Sequence, residues 1–139
     1  MIVNQIAVFI ENKKGRLHEL TSALGKAGID VVALTIADTY DYGIVRLITR
    51  DNDRAVNVLK DAGFAATRAD LFGIEVDDKP NGLAGALKVL EDGEIDIEYL
   101  YSFARNKEGK AIIIFKAADT DKAMAVLKNS DVKMVTSLE

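Results

Sequence analysis

Laid on itself with an offset of 66 residues, the sequence places Lys13 on Lys79, Leu17 on Leu83 and Leu24 on Leu90. The same offset places Ile29-Asp30 on Ile95-Asp96, Leu34 on Leu100, Gly43 on Gly109 and Ile48 on Ile114. After a slip of two residues, RAVNVLK (Arg54–Lys60) matches KAMAVLK (Lys122–Lys128). The identities are few, but each falls at the same point of a recurring pattern, so one supersecondary unit is written twice. For a chain of 139 residues this means two small domains, 1–69 and 70–139, meeting near Ala69–Asp70.

The first copy reads strand, helix, strand, strand, helix, strand. Ile6, Val8 and Ile10 alternate as a half-buried strand does. Leu17, Leu20, Leu24 and Ala27 follow at helical steps, and the glycine of AGID ends that helix. Val31–Ala37 is a second strand, DTYDYG (Asp38–Gly43) a turn, and Ile44–Thr49 a third strand. Asp51 or Asp53 can cap a helix whose apolar face is Ala55, Val58, Leu59 and Ala62. Ala65–Ala69 gives a weaker fourth strand.

The second copy runs through a strand at Leu71–Val76, a helix over Asn81–Glu91, and strands at Ile95–Phe103 and Ala111–Lys116. A helix over Thr120–Asn129 and a final strand at Val132–Ser137 complete it. The fold class is therefore α+β: two ferredoxin-like βαββαβ units in tandem, each an antiparallel sheet with its helices on one face. AIIIF (Ala111–Phe115) is continuously apolar, so both faces of that strand should be buried. Tyr99, Tyr101 and Phe103 share one strand face, as core or contact residues or as the lining of a pocket.

Composition removes several function classes. Net charge is −4 with no long run of one sign, whereas nucleic acids and anionic membranes need a basic face. There is no cysteine and one histidine, so catalytic triads, thiol chemistry and transition-metal sites lack parts, and no cofactor is expected. His18 lies off the Leu17/Leu20/Leu24 stripe and should face solvent. No apolar stretch approaches the ~18 residues of a membrane span, and a signal-like leader is missing, so a cytoplasmic protein is expected. RNA-binding domains of the same topology need aromatic central strands in a basic setting, and GIVRLIT (Gly43–Thr49) has none.

With N-x-x-G-x-L in the first turn (Asn12–Leu17) and G-I-D-V opening the second strand (Gly28–Val31), the chain resembles a tandem pair of ACT domains over essentially its whole length. The resemblance implies ferredoxin-like modules that bind free amino acids and regulate metabolic enzymes rather than catalyse. It also implies ligand-site elements at the Gly-containing loop after the first strand and at the second-strand start of a neighbouring domain. Carried onto this sequence, the first copy offers Asn12, Lys14, Gly15, Arg16 and Leu17, with Asp30 and Val31. The second offers Asp78, Pro80, Asn81, Gly82 and Leu83, with Asp96 and Ile97. There the family's glycine falls on Asn81, with Gly82 displaced by one. Asparagine tolerates left-handed backbone better than most residues, yet if only one of the two loops binds, the first is expected to.

The physical logic of such a site is simple. A helix N-terminus leaves amide groups unpaired and carries partial positive charge, which suits a carboxylate. Glycine lets the ligand approach the backbone, and Asp30 or Asp96 can receive its ammonium group. The competing account is that Asn12 and Gly15 only shape a βα turn and that both aspartates are solvated. The expectation is a free-standing regulatory protein that binds an amino acid at a domain–domain interface and signals through domain arrangement. Its partners would be a metabolic enzyme or regulator and a second copy, as a homodimer. The alternatives are an assembly module without ligand and an acylphosphatase-like enzyme, for which Arg16 is a loose candidate.

Overall fold

In a computed structural model of the chain, residues 2–38 and 41–135 are described. Contacts divide it into an N-terminal unit, Asn4–Ala69, and a C-terminal unit from Asp70 onward that also takes the residues ahead of Asn4. The elements are β1 (Ile2–Glu11), α1 (Arg16–Lys26), β2 (Val31–Asp38), β3 (Tyr42–Thr49), α2 (Asn52–Asp61) and β4 (Ala65–Asp77). They continue as α3 (Gly82–Asp92), β5 (Ile97–Lys107), β6 (Lys110–Ala117), α4 (Thr120–Lys128) and β7 (Lys133–Met134). The βαββαβ pattern occurs twice, and the fold is that of tandem ferredoxin-like units.

In the N-terminal unit the strand order is β2-β3-β1-β4, with antiparallel pairs Val8↔Val45 and Ile6↔Leu47. Alternation along β1 and β3 turns Ile6, Val8, Ile10, Val45 and Leu47 to one face. There they meet Leu20 and Leu24 of α1 and Ala55, Val56 and Leu59 of α2. Val56, rather than the expected Ala62, shares the buried face of α2. The C-terminal unit repeats the order with β5-β6-β4 and β7 on the other side of β4. Its core joins Ile74, Val76, Ile113 and Phe115 to Ala86 and Leu90 of α3 and Ala123 and Leu127 of α4. Phe72 and Phe115 stack with ring centroids 5.4 Å apart.

Three expectations need correction. The strands expected at Ala65–Ala69 and Leu71–Val76 are one continuous strand, β4, because the charged Arg68 and Asp70 interrupt the apolar pattern without supplying a turn. The two-residue slip lies in the β2–β3 hairpin, ahead of the third strand rather than behind it. Val8 and Ile74 stand 66 apart, but their partners Val45 and Ile113 stand 68 apart. The structural counterparts of Gly43 and Ile48 are thus Ala111 and Lys116. A shift of two keeps every side chain on its own face, so the apolar alternation looked the same in either register. Finally, β5 runs on to Lys107, and the two-residue turn Glu108-Gly109 (φ 58° and 72°) joins it to β6.

Tyr42 and Gly43, expected in a turn, belong to β3, whereas Thr39 and Tyr40 of that turn lie outside the described residues. So do Thr136 and Ser137 of the last expected strand. Ile113, Ile114 and Phe115 are all buried, so both faces of β6 are covered. Tyr101 and Phe103 are buried, and Tyr99 is half-buried. Among the described residues no helix is long and apolar enough to cross a membrane.

Candidate functional site

The loop between β1 and α1 and the loop between β4 and α3 share their pattern of backbone hydrogen bonds. Lys13 N–H donates to Glu11 O, Arg16 N–H to Lys13 O and Glu19 N–H to Gly15 O. In the second loop Lys79 N–H donates to Asp77 O, Gly82 N–H to Lys79 O and Gly85 N–H to Asn81 O. Asn12 N–H reaches Asp41 O at 2.9 Å, and Asp78 N–H reaches Gly109 O at 2.8 Å. The N-cap of α1 is Gly15 at φ 90° and that of α3 is Asn81 at φ 69°, both left-handed. Asparagine therefore holds the conformation that glycine holds in the first copy.

Helix capping separates α1 and α3 from α2 and α4. Asp51 accepts from Arg54 N–H at the head of α2, and Asp119 accepts from Lys122 N–H at the head of α4. Neither Gly15 nor Asn81 caps its helix with a side chain. Beyond Arg16 and Gly82, whose amides are bonded within the loop, the first turns of α1 and α3 take no side-chain cap at the positive end of each helix.

The side chains of the two loops differ at the helix head. Gly82, Gly85, Ala86 and Val132 of the C-terminal unit correspond to Arg16, Glu19, Leu20 and Phe64 of the N-terminal unit. Around the small residues lies an open cleft of about 540 Å³, also lined by Asn81, Pro80, Val76, Val89, Asp77 and Lys110. Gly82 is held there by contact, since a β-carbon on it would stand 1.9 Å from Asp77 O. In the N-terminal unit the Arg16 guanidinium lies 4.6 Å from the centre of the Phe64 ring and donates to Glu19 at 2.6 Å.

The rim of the cleft carries both signs. Lys110 hydrogen-bonds to Asp77, Lys79 approaches the same carboxylate at 3.6 Å, and Lys133 meets Glu75 at 3.2 Å. The hydrogen bond from Lys110, then its charge, hold the Asp77 carboxyl below its ordinary range, and Asp77 raises the Lys110 ammonium in return. At the first loop the hydrogen bond and charge of Lys13 lower Glu11 in the same way. Among the described residues no cluster of three or more histidines and carboxylates could hold a metal ion.

The residues expected from the sequence fall in four places. Asn81 and Gly82 line the cleft, with Leu83 packed against the core behind it. Asn12, Lys14 and Gly15 are exposed, Arg16 is partly covered, and Leu17 packs on the N-terminal core. Asp96 and Ile97 line a different opening, of about 690 Å³, with Leu87, Glu91 and Glu94. Asp30 is exposed and takes a 3.3 Å contact from Arg50 Nε, while Val31 packs on the N-terminal core. His18 is exposed and lies 3.3 Å from Ser22 Oγ. Sequence reasoning did not single out Gly85, Val89, Lys110 or Val132. Gly85 carried a signal, since a second glycine three residues along a helix opens the same face.

A model of the ACT domain pair family matches residues 1–139. Among solved structures, protein BT0572 from Bacteroides thetaiotaomicron superposes with a TM-score of 0.90 at 40% identity, over 97% of this chain and 92% of that one. The ligand-free regulatory subunit of aspartate kinase from Thermus thermophilus superposes with a TM-score of 0.67 at 16% identity, over 92% of this chain and 91% of that one. The corresponding subunit from Thermus flavus gives 0.61 at 16% identity, over 92% and 94%. At that identity the two kinase subunits share the fold alone. No curated protein matches the chain.

Proposed function

Because the chain belongs to the family of ACT domain pairs, we propose that it is a regulatory module, without catalysis of its own, that binds a free amino acid at the head of α3. The observation that carries this reading is the open cleft of about 540 Å³ beside an uncapped helix N-terminus. The first-turn amides of α3 receive the ligand carboxylate, and the helix dipole favours its charge. Val76, Val89 and Val132 offer apolar surface to its side chain, and the acidic groups of the rim, Glu75 and Asp131, face its ammonium.

Asp96 and Ile97, which line another opening, serve in this reading a ligand seated on the loop of a second copy. Asp30 and Val31 would do the same in the N-terminal unit. A homodimer in the cytoplasm is therefore part of the proposal. Occupancy shifts the equilibrium between arrangements by its differential affinity for them. The structures from the two Thermus species are regulatory subunits of an aspartate kinase, and an enzyme or regulator of metabolism is the kind of partner we propose here.

A thermal-shift screen over the proteinogenic amino acids tests the reading. A ligand at 100 times its dissociation constant adds ~2.7 kcal/mol to the stability of a protein that binds it only when folded. A screen without any shift, confirmed by calorimetry, removes the sensor function and leaves an assembly module.

A further inference from the structure

We propose that Arg16, held by Glu19 and Phe64, closes the loop of the N-terminal unit to the amino acid that the C-terminal loop takes. The inference rests on the reading above that a ligand binds at the head of α3. The two loops share their backbone hydrogen bonds and their left-handed N-cap, but the side chains at their helix heads differ. Where the C-terminal unit has Gly82, Gly85 and Val132, the N-terminal unit has a long cation, an acid to pair it and a ring to seat it.

The Arg16 side chain is folded onto its own unit and keeps 28% of its exposure. Its guanidinium carbon stands 4.6 Å from the Phe64 ring centre, close enough for a cation–π contact. Its Nε is buried with no hydrogen-bond partner, as expected of a guanidinium pressed on apolar surface. Its Nη1 is spent on the Glu19 carboxylate at 2.6 Å. A cation at the positive end of α1 is unfavourable by itself, and Glu19 supplies the balancing charge. Arg16 thus already has a carboxylate partner in Glu19. A ligand carboxylate approaching it would have to displace Glu19 and lift Arg16 from Phe64, whereas at the second loop it meets two glycines and solvent.

The test follows backbone amide resonances of Gly15, Gly82 and Gly85 while each proteinogenic amino acid is added in turn. Three proteins are compared: the wild type, R16A, and R16A/E19G, which puts small residues at both positions. The expected result is an amino acid that moves Gly82 and Gly85 in all three proteins and moves Gly15 only in the variants, taking the stoichiometry from one to two per chain. Movement of Gly15 in the wild type, lost in R16A, would make Arg16 a ligand receptor and overturn the proposal. So would a Gly15 resonance that stays fixed in both variants while Gly82 responds. If no amino acid moves Gly82 or Gly85 in any protein, the ligand reading itself fails and this proposal falls with it.

Discussion

Gly82 lies so close to Asp77 that a β-carbon on it would stand 1.9 Å from the Asp77 carbonyl oxygen, a contact with backbone that no rotamer relieves. Gly82→Ala must therefore part the loop from the helix head, at a cost of ~1–3 kcal/mol as in other overpacked sites. Gly85→Ala is the control, because nothing lies within 4 Å of its added methyl. Alanine is the better helix former there, so stability should rise by up to ~1 kcal/mol. Urea unfolding of both variants checks the pair. A Gly82→Ala protein as stable as wild type would contradict the close approach.

Gly15 and Asn81 share one conformation but not one cost. At φ 90°, Gly15→Ala puts a β-carbon in the left-handed region, for which ~1–2 kcal/mol is the usual penalty. Asn81→Gly relieves a milder strain at φ 69° and should leave stability within ~1 kcal/mol of wild type, on the stabilising side. Equal losses in both variants would show that asparagine's side chain, and not its backbone, shapes the second loop.

The repeat and the element order could be read from the sequence because each leaves a periodic trace. Leu20, Leu24 and Leu90, the apolar steps of α1 and α3, are buried as their spacing implies. The register of the β2–β3 hairpin left no such trace, since a two-residue slip preserves the side-chain period. The continuity of β4 was hidden because Arg68 and Asp70 resemble the start of a connection. The site itself was half legible. Asn81 and Gly82 follow from the loop motif, but the cleft depends equally on Val132 and Lys110, which are distant in sequence and unmarked by spacing. The sequence also pointed to the first loop because Gly15 stands at the family position. What Arg16 does there depends on Phe64, a contact 48 residues away that no local pattern encodes.

The Asp77–Lys110 pair sets a pH dependence whose sign can be worked out. The Asp77 carboxyl is lowered below its ordinary 3.8, so its contribution is complete above that value and is lost as pH falls through the folded value. The Lys110 ammonium is raised above 10.5, so its contribution is complete below that value and is lost as pH rises through the folded value. Both groups are exposed, and salt should weaken the effect. In Lys110→Ala, carboxyl NMR should show Asp77 titrating closer to 3.8, though not fully, because Lys79 remains at 3.6 Å. An unchanged Asp77 titration would mean that the pair does not persist in solution.

Asp51 and Asp53 open the same helix but do different work, and their magnitudes should differ. Asp51 accepts from Arg54 N–H at 3.1 Å, so Asp51→Ala leaves a first-turn amide without its cap and costs ~1 kcal/mol. Asp119, which accepts from Lys122 N–H at 3.1 Å, should lose a similar amount on replacement by alanine. Asp53 instead pairs with Arg68 across an exposed surface, where such bridges contribute ~0–1 kcal/mol. Its alanine variant should therefore stay nearer wild type, and high salt should erase the remaining difference. Denaturant midpoints of the three variants at low and high salt give the comparison. If Asp53→Ala proved as costly as Asp51→Ala at high salt, the assignment of the α2 cap to Asp51 would be wrong.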